Sequence, residues 1–242
     1  MGDFDGDGLE DLALSAPGRK TPALSAHGEV YVLRGIGERR VDATNRYNIG
    51  EIASVSFFSL HPHARLGIDL AAGDVDGDGV DDLVMGSTAS EYRGGAIYVA
   101  FGGAAFFEPD AALESRFNLD GDIVPGSIPD HIVACTVELG SSVDGLGGTL
   151  AVGDLDGDGM AEIAATLGRR ETSVPPGAVA LFRGAAVTEA RAQGRDLALA
   201  SDAVILQGNP DHAFGAALAM RDLTGNGLAD LAIGAPYYSY TT

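Results

Sequence analysis

The sequence predicts an all-β fold, and three observations carry that prediction. One segment type recurs four times, beginning at Gly2, Gly73, Gly153 and Arg221. In each copy an Asp- and Gly-rich loop precedes a run of alternating apolar and small residues, and this period of two is typical of a half-buried strand. The helical signal is weak and the chain has 35 glycines, which favours short strands joined by tight turns.

The four copies are regularly spaced. They read GDFDGDGLEDLALSAP, GDVDGDGVDDLVMGST, GDLDGDGMAEIAATLG and RDLTGNGLADLAIGAP in chain order. Their first aspartates, Asp3, Asp74, Asp154 and Asp222, lie 71, 80 and 68 residues apart. A period of this size accommodates four short strands and their loops. We therefore expect each repeat to run strand, acidic loop, strand, turn, strand, loop, strand.

The flanks of the loops supply the individual strands. A segment such as LGIDLAAGD, LGGTLAVGD or FGAALAMRD precedes the loop and forms the first strand. The second strand follows the loop and reads DLALSA, DLVMGS, EIAATL or DLAIGA. The third is GEVYVLRG, GAIYVAFGG or GAVALFRG, and the fourth is predicted at residues 55–60, 132–137 and 203–207.

Radial repetition of small antiparallel sheets predicts a β-propeller of four-stranded blades over residues 1–242. The first copy begins at its loop and the last ends after its second strand, so about three and a half blades are expected where closed propellers have 4–8. This predicts either a piece of a longer protein or a homodimer that pairs through open propeller edges. A β-sandwich is the alternative, but it does not explain the repeat period.

Charge and composition exclude several functions. The 35 Asp and Glu residues against 15 Lys and Arg give a formal net charge of -20, and such a surface repels nucleic acid and anionic lipid. The longest apolar stretch, residues 94–107, is short and broken by glycine, so no membrane span is expected. Cys135 is the single cysteine, which excludes an intrachain disulfide. Met1 leads directly into acidic residues, so no secretory signal is expected in this chain.

Alternate positions of each loop carry oxygen ligands. Positions one, three and five offer side-chain oxygens, position seven a backbone carbonyl, and the carboxylate at position nine closes the site, while two glycines permit the sharp turn. Calcium takes six to eight oxygens, so the pattern predicts four calcium sites. The predicted ligands are Asp3, Asp5, Asp7, Leu9 and Asp11; Asp74, Asp76, Asp78, Val80 and Asp82; Asp154, Asp156, Asp158, Met160 and Glu162; and Asp222, Thr224, Asn226, Leu228 and Asp230.

The loops are not equivalent. The third ends in Glu162, whose extra methylene must alter the geometry of the site. In the fourth, Thr224 and Asn226 replace two aspartates, so two acidic side chains remain where the other loops have four. Because calcium affinity falls with ligand charge, the fourth site is expected to fill last.

Two other structures share features of these loops. An EF-hand or dockerin loop shares the first six positions but needs a bidentate Glu at position twelve, where this chain has Leu14, Met85, Ala165 and Ile233. Metal-free Asp-Gly turns are the second alternative, but they would leave several carboxylates repelling one another in each loop. The segment 119–122, LDGD, is predicted to be an ordinary turn.

The sequence offers no catalytic constellation. Around the five histidines, no Cys or Glu recurs at metal-ligand spacing, so these histidines are interpreted as surface or turn residues. They are His27, His61, His63, His131 and His212. The absence of Trp excludes the Trp-containing signatures of other propeller families.

The residues that flank the loops resemble the FG-GAP repeat family, which occurs in the integrin α-chain propeller. Phe214-Gly215 and Gly234-Ala235-Pro236 match both signatures in the fourth copy, and Ser15-Ala16-Pro17 is a near match in the first. Leu66-Gly67 in the second copy and Leu146-Gly147 in the third are weaker. The resemblance covers nearly the whole chain.

The resemblance implies an extracellular recognition or cell-adhesion module, in which calcium is structural and a protein or glycan ligand binds on the longer loops at the other face. FG-GAP-like repeats also accompany certain phospholipases and polysaccharide lyases. The alternative is therefore a non-catalytic propeller of a secreted enzyme whose catalytic domain lies outside this chain. Surface calcium loops fill at roughly 10⁻⁴–10⁻³ M, so an extracellular, cell-surface or periplasmic location is expected.

Overall fold

The structure is a computed structural model that describes residues 1–22, 25–35, 48–88, 93–104, 106–107, 116–119, 132–138, 145–168, 177–208 and 212–237. Strands dominate these residues, which confirms the predicted all-β fold. The strands are β1 Leu12–Ser15, β2 Glu29–Leu33, β3 Val55–Phe58, β4 Leu70–Gly73, β5 Asp82–Ser87, β6 Arg93–Ala100, β7 Arg116–Asn118, β8 Ile132–Glu138, β9 Leu150–Gly153, β10 Glu162–Leu167, β11 Ala178–Phe182, β12 Ala203–Gln207, β13 Ala217–Arg221 and β14 Asp230–Gly234. The helices are α1 Ile49–Ile52, α2 Gly184–Ala192 and α3 Leu199–Asp202.

Two sheets follow the predicted repeat from end to end. The second sheet has the order β4-β5-β6-β8 and the third β9-β10-β11-β12, and every neighbouring pair in them is antiparallel. The acidic loop joins the first strand to the second in both sheets. The fourth strands predicted from the sequence correspond to β3, β8 and β12 and are confirmed.

The first and fourth sheets depart from this plan. The first has the order β1-β2-β3-β7, and its outermost strand belongs to the second repeat and pairs in parallel with β3. The sequence predicted purely antiparallel blades, so this pair corrects the expectation. The fourth sheet consists of β13 and β14.

Burial shows why equivalent strands differ in exposure. All six residues of β5 are buried, and so are all six of β10. In β5, Leu83 and Met85 belong to the core shared with the first sheet, whereas Val84 belongs to the core shared with the third. The prediction of half-buried strands was therefore wrong for β5 and β10, because a neighbouring sheet covers each of their faces.

The sheets lie side by side with equivalent strands adjacent. The first strand of the third sheet, β9, contacts β4 on one side and β13 on the other. Isolated parallel bridges join Gly28 to Leu66 and Gly95 to Leu146, and they link the third strands of the first and second repeats to the start of the repeat that follows. This packing is consistent with the blades of a propeller.

Helix α2 is an element that the sequence did not indicate. It follows β11 and buries Val187 and Ala190 in the core between the second and third sheets. The N–H of Leu197, just after α2, donates to the carbonyl of Ala134 in β8 at 2.8 Å. No helix in the described ranges is long and apolar enough to cross a bilayer.

Several sequence predictions concern residues outside the described ranges. They are most of the predicted turn at 119–122, His131, and the chain after residue 237.

Candidate metal centres

The first aspartate of each loop organises the turn through local hydrogen bonds. In the second loop, Asp74 Oδ1 accepts the N–H groups of Gly77 and Asp78 at 2.7 and 3.0 Å, and Oδ2 accepts the N–H of Gly79 at 2.8 Å. Gly77 and Gly79 have φ values of +77° and +86°, a region that only glycine adopts without strain. The same bonds to both glycines recur from Asp3, Asp154 and Asp222. The predicted turn role of the glycines is therefore confirmed.

Position five supports the end of the loop in the same way in all four copies. Asp78 Oδ1 accepts the N–H of Val80 at 2.9 Å, and Asn226 Oδ1 accepts the N–H of Leu228 at 2.8 Å. Asparagine therefore preserves the backbone conformation of the fourth loop while lacking the negative charge. The fourth loop therefore has less negative charge than the others but the same backbone conformation at this position.

The carboxylate at position nine has a second role that the sequence did not reveal. Asp82 is 1% exposed, and its Oδ2 and Oδ1 accept the N–H groups of Val75 and Gly102, each at 2.7 Å. Asp11 makes the equivalent bonds to Phe4 and Gly35. The residue thus ties the start of its loop to the end of the third strand of its sheet.

Burial also changes the ionisation of these groups. Desolvation raises the pKa of Asp82 from its ordinary 3.8 to about 7, against the opposing effect of its hydrogen bonds from Gly102 and Val75. Desolvation likewise raises the pKa of Asp11 and of Glu162. A buried carboxylate of this kind is stabilised in its charged form by a cation.

Three of the four loops bring three carboxylates together. In each group, one carboxylate oxygen from every residue lies within 4.8 Å of the corresponding oxygens of the other two. The groups are Asp3, Asp5 and Asp11; Asp74, Asp76 and Asp78; and Asp154, Asp156 and Glu162. Among the described residues, the fourth loop forms no such group. The remaining predicted ligands, including the position-seven carbonyls, stay predictions.

Two buried oxygen atoms fit a cation at these clusters. Asp76 Oδ1 and Glu162 Oε1 are buried and accept no hydrogen bond of ordinary geometry within the described residues, although the backbone N–H groups of Asp78 and Gly184 lie near these two carboxylates. An unsatisfied buried oxygen costs about 1–3 kcal/mol, so such atoms are rare unless they serve a ligand. A hard divalent cation is the ligand that carboxylate oxygens prefer. The donor set of the second and third loops therefore fits calcium.

Arginines approach position three of the first two loops. Arg34 Nε lies 2.6 Å from Asp5 Oδ2, and Arg191 Nη1, on α2, lies 2.5 Å from Asp76 Oδ2. The Arg191 guanidinium also stands 4.1 Å from the centre of the Phe101 ring. Within the described ranges, no arginine forms an ion pair with the third or fourth loop. No sequence pattern indicates the contact between Arg191 and Asp76, because 115 residues separate the two.

These features define a repeat protein in which small β-sheets lie side by side and each carries an Asp- and Gly-rich loop, three of which gather carboxylates. The FG-GAP repeat family matches residues 1–33, 66–100 and 214–242, which are the first, second and fourth copies. The chain therefore carries FG-GAP repeats at these three positions, and the resemblance is confirmed. The third copy, with the weakest flanking signatures, lies outside the matches.

The chain is also similar to several enzymes of one name, Phosphatidylinositol-glycan-specific phospholipase D. It is 35% identical to the enzyme of Rattus norvegicus over 85 residues, which are 35% of this chain and 9% of the enzyme. It is 25% identical to that of Dictyostelium discoideum over 170 residues, which are 66% of this chain and 16% of the enzyme. The Bos taurus enzyme is 36% identical over 107 residues, 41% of this chain and 12% of the enzyme. The chain thus spans between 9% and 16% of the length of these relatives.

Proposed function

We propose that this chain is a calcium-stabilised, non-catalytic β-propeller segment that serves as an accessory part of a larger enzyme of the phospholipase D type. The main observation in support is the combination of FG-GAP repeats with similarity to Phosphatidylinositol-glycan-specific phospholipase D in three vertebrates and in Dictyostelium discoideum. The adhesion role predicted from the resemblance rests on the repeats alone. The relatives favour the accessory role over it.

Calcium is proposed to act structurally. An ion in the second loop would be held by Asp74, Asp76 and Asp78, and Asp82 would complete the predicted set. It would neutralise carboxylates that otherwise repel one another and fix the connection between the first and second strands of the sheet. We expect residues 1–242 to behave as one propeller segment in which the ions stiffen the loops at one end of the sheets.

The opposite end of the sheets is proposed as the ligand-binding end. Strands alternate in direction, so the β1–β2 and β3–β4 connections lie at the end away from the acidic loops. A protein or glycan ligand is expected there. Calcium loops on a protein surface fill at roughly 10⁻⁴–10⁻³ M, which supports an extracellular or periplasmic location.

Thermal unfolding with and without calcium tests the structural role. At calcium a hundredfold above the dissociation constant, we expect each filled site to raise the melting temperature by roughly 5–10 °C. Asp74→Asn with Asp154→Asn should remove much of that gain, and magnesium should replace calcium poorly because these loops suit six to eight ligands. An identical melting temperature in calcium and in chelator would refute the proposal.

The accessory role has its own test. The complete reading frame that contains these residues should encode a phospholipase catalytic domain in the same polypeptide. A reading frame made of FG-GAP repeats joined to a membrane anchor or to adhesion domains would instead support the recognition role.

A further inference from the structure

A cavity lies at the end of the sheets away from the acidic loops. It has a volume of about 440 Å³ and lies between the β1–β2 connection and the β3–β4 connection. Its lining includes Lys20, His63 and Arg65, together with the apolar side chains of Pro17 and Ile68. A volume of this size accommodates a small organic ligand, since ligand cavities measure roughly 300–1,000 Å³.

The charge of this cavity is opposite to that of the chain. The formal net charge is -20, yet the described residues that line the cavity include Lys20, Arg65 and His63 and neither Asp nor Glu. Lys20 is the only lysine in the sequence. The nearest acidic residue in sequence, Asp69, accepts the N–H of Leu150 at 2.8 Å and is therefore engaged elsewhere. Cationic side chains gathered in a cleft raise the local concentration of anions.

The backbone of the cavity wall is held in an unfavourable conformation. Of the four non-glycine residues with positive φ in the described ranges, Ala26, His63 and Arg65 line the cavity, at +46°, +64° and +51°. Such residues cost about 1–3 kcal/mol each and persist only where the surroundings impose them. Here the N–H of His63 donates to the Ser25 carbonyl at 2.7 Å, and that of Arg65 donates to the Ala26 carbonyl at 3.0 Å.

Residue 65 stands at a position whose backbone conformation recurs in the repeats. The residue before each Leu-Gly or Phe-Gly pair has positive φ in three repeats, namely Arg65, Gly145 and Ala213. The left-handed backbone is therefore a property of the repeat, and glycine serves it with least strain. An arginine at this position brings a charge that the backbone does not need. Its planar fork of donors suits an oxyanion.

We propose that this cavity binds a phosphate or sulfate ester carried on a group of monosaccharide size. Arg65 and Lys20 hold the oxyanion, and Pro17 and Ile68 contact the body of the ligand. The inference deepens the proposed binding role of this end of the sheets and rests on that role. It does not require any of the four loops to bind calcium.

Binding is tested by calorimetry with glucose 6-phosphate, glucose 6-sulfate, inorganic sulfate and glucose, in calcium-containing buffer. The two esters should bind, inorganic sulfate should bind more weakly, and glucose should not bind. Arg65→Asn and Lys20→Gln should each weaken binding of the esters by roughly tenfold, since each removes a charged donor. Asn is chosen at position 65 because it tolerates a left-handed backbone.

Arg195→Gln is the matched control. Arg195 pairs with Asp202 at 2.7 Å and does not line the cavity, so this variant loses the same charge and should bind the esters like the wild type. Inorganic sulfate that binds as tightly as the esters would assign the site to a free anion. That result, or equal ester binding by wild type and Arg65→Asn, would overturn the proposal.

A second readout uses the single lysine. Acetylation at Lys20, followed by mass spectrometry of its peptide, should slow in the presence of glucose 6-phosphate and not of glucose. An unchanged rate would contradict the proposal even if Arg65→Asn proves unstable. If the esters bind but calcium does not stabilise the protein, the structural role of calcium is refuted and the proposed ester binding in this cavity is supported. If calcium stabilises the protein but the esters do not bind, only the proposed ester binding in this cavity is refuted.

Discussion

The backbone carbonyl oxygen of Asp74 accepts a hydrogen bond of 2.7 Å from the backbone N–H of Ala161. The first residue of the second loop is thereby joined to the residue that precedes the closing carboxylate of the third. The equivalent bonds join Asp3 to Asp81 at 3.0 Å and Asp154 to Ala229 at 2.8 Å. The four loops therefore form one hydrogen-bonded series, in which each loop contacts the next.

This series predicts coupling between neighbouring calcium sites. Asp154→Asn should weaken the third site directly and should also lower the calcium affinity of the second loop by about fivefold, the effect of a coupling of about 1 kcal/mol. The reason is that Asp154 organises the third loop, whose Ala161 donates to Asp74. Calorimetric titration of the variant measures both effects. Asp222→Asn lies in the fourth loop, which among the described residues is hydrogen-bonded to the third loop and not to the second. It should leave the affinity of the second loop unchanged, and equal effects of the two variants would contradict the coupling.

The ionisation of Asp82 predicts an unusual pH dependence of the metal-free protein. Its pKa is about 7 in the folded state against an ordinary 3.8, so between these values the folded protein binds a proton that the unfolded chain has lost. The free energy of unfolding should therefore decrease as the pH rises from about 4 to about 7 and level off above that.

Urea unfolding of metal-stripped protein in EDTA, at pH 5, 6, 7 and 8, measures this effect. Asp82→Asn cannot titrate, so the stability difference between wild type and variant should shrink as the pH rises. A difference that is constant with pH would show that Asp82 ionises normally.

Arg191 is expected to act as a built-in counter-ion of the second loop. Replacing it in Arg191→Gln removes a positive charge 2.5 Å from Asp76, a predicted calcium ligand. Calcium affinity of that loop should rise by roughly threefold to tenfold, because the cation no longer meets a resident positive charge. The melting temperature in chelator should fall, because the carboxylates then repel one another.

A rise in calcium affinity together with a fall in the melting temperature in chelator distinguishes the counter-ion role of Arg191 from simple packing. Arg195→Gln, which breaks the pair with Asp202 outside the loops, should leave the calcium affinity of the second loop unchanged. A lower calcium affinity of Arg191→Gln would mean instead that the arginine orients the carboxylate for the ion.

The fourth loop offers a gain-of-function prediction. Its turn has the same hydrogen bonds as the other loops, and Thr224 and Asn226 occupy two of the ligand positions. The double variant Thr224→Asp with Asn226→Asp should therefore bind calcium at the fourth loop at least tenfold more tightly, because ligand charge sets the affinity of such loops. Terbium luminescence or calorimetry follows the filling order. Unchanged affinity would show that calcium binding at this loop is limited by its solvent exposure, and that the number of charged ligands is not the limiting factor.

Much of the fold and of the loops could be predicted from the sequence. The bonds from Asp74 to Gly77 and Gly79 span at most five residues, so the spacing of Asp and Gly alone specifies them. Strand order within a repeat was predictable because strands that follow one another in the chain are usually neighbours in a sheet. The parallel pairing of β3 with β7 was not predictable, because it joins two different repeats.

The sequence by itself determined the local conformation of each loop and where its predicted oxygen ligands lie, because these depend on interactions between residues close in the chain. It also indicated the order of strands in a repeat, because strands that follow one another in the chain are usually neighbours in a sheet. Only the tertiary structure decided which sheet faces are covered, which carboxylates are buried and which arginines reach them. Arg191 and Asp76 meet because α2 packs against the second sheet, and Lys20 and Arg65 share a cavity because two connections lie side by side. Contacts of this kind depend on the packing of whole sheets, and no spacing along the chain encodes them.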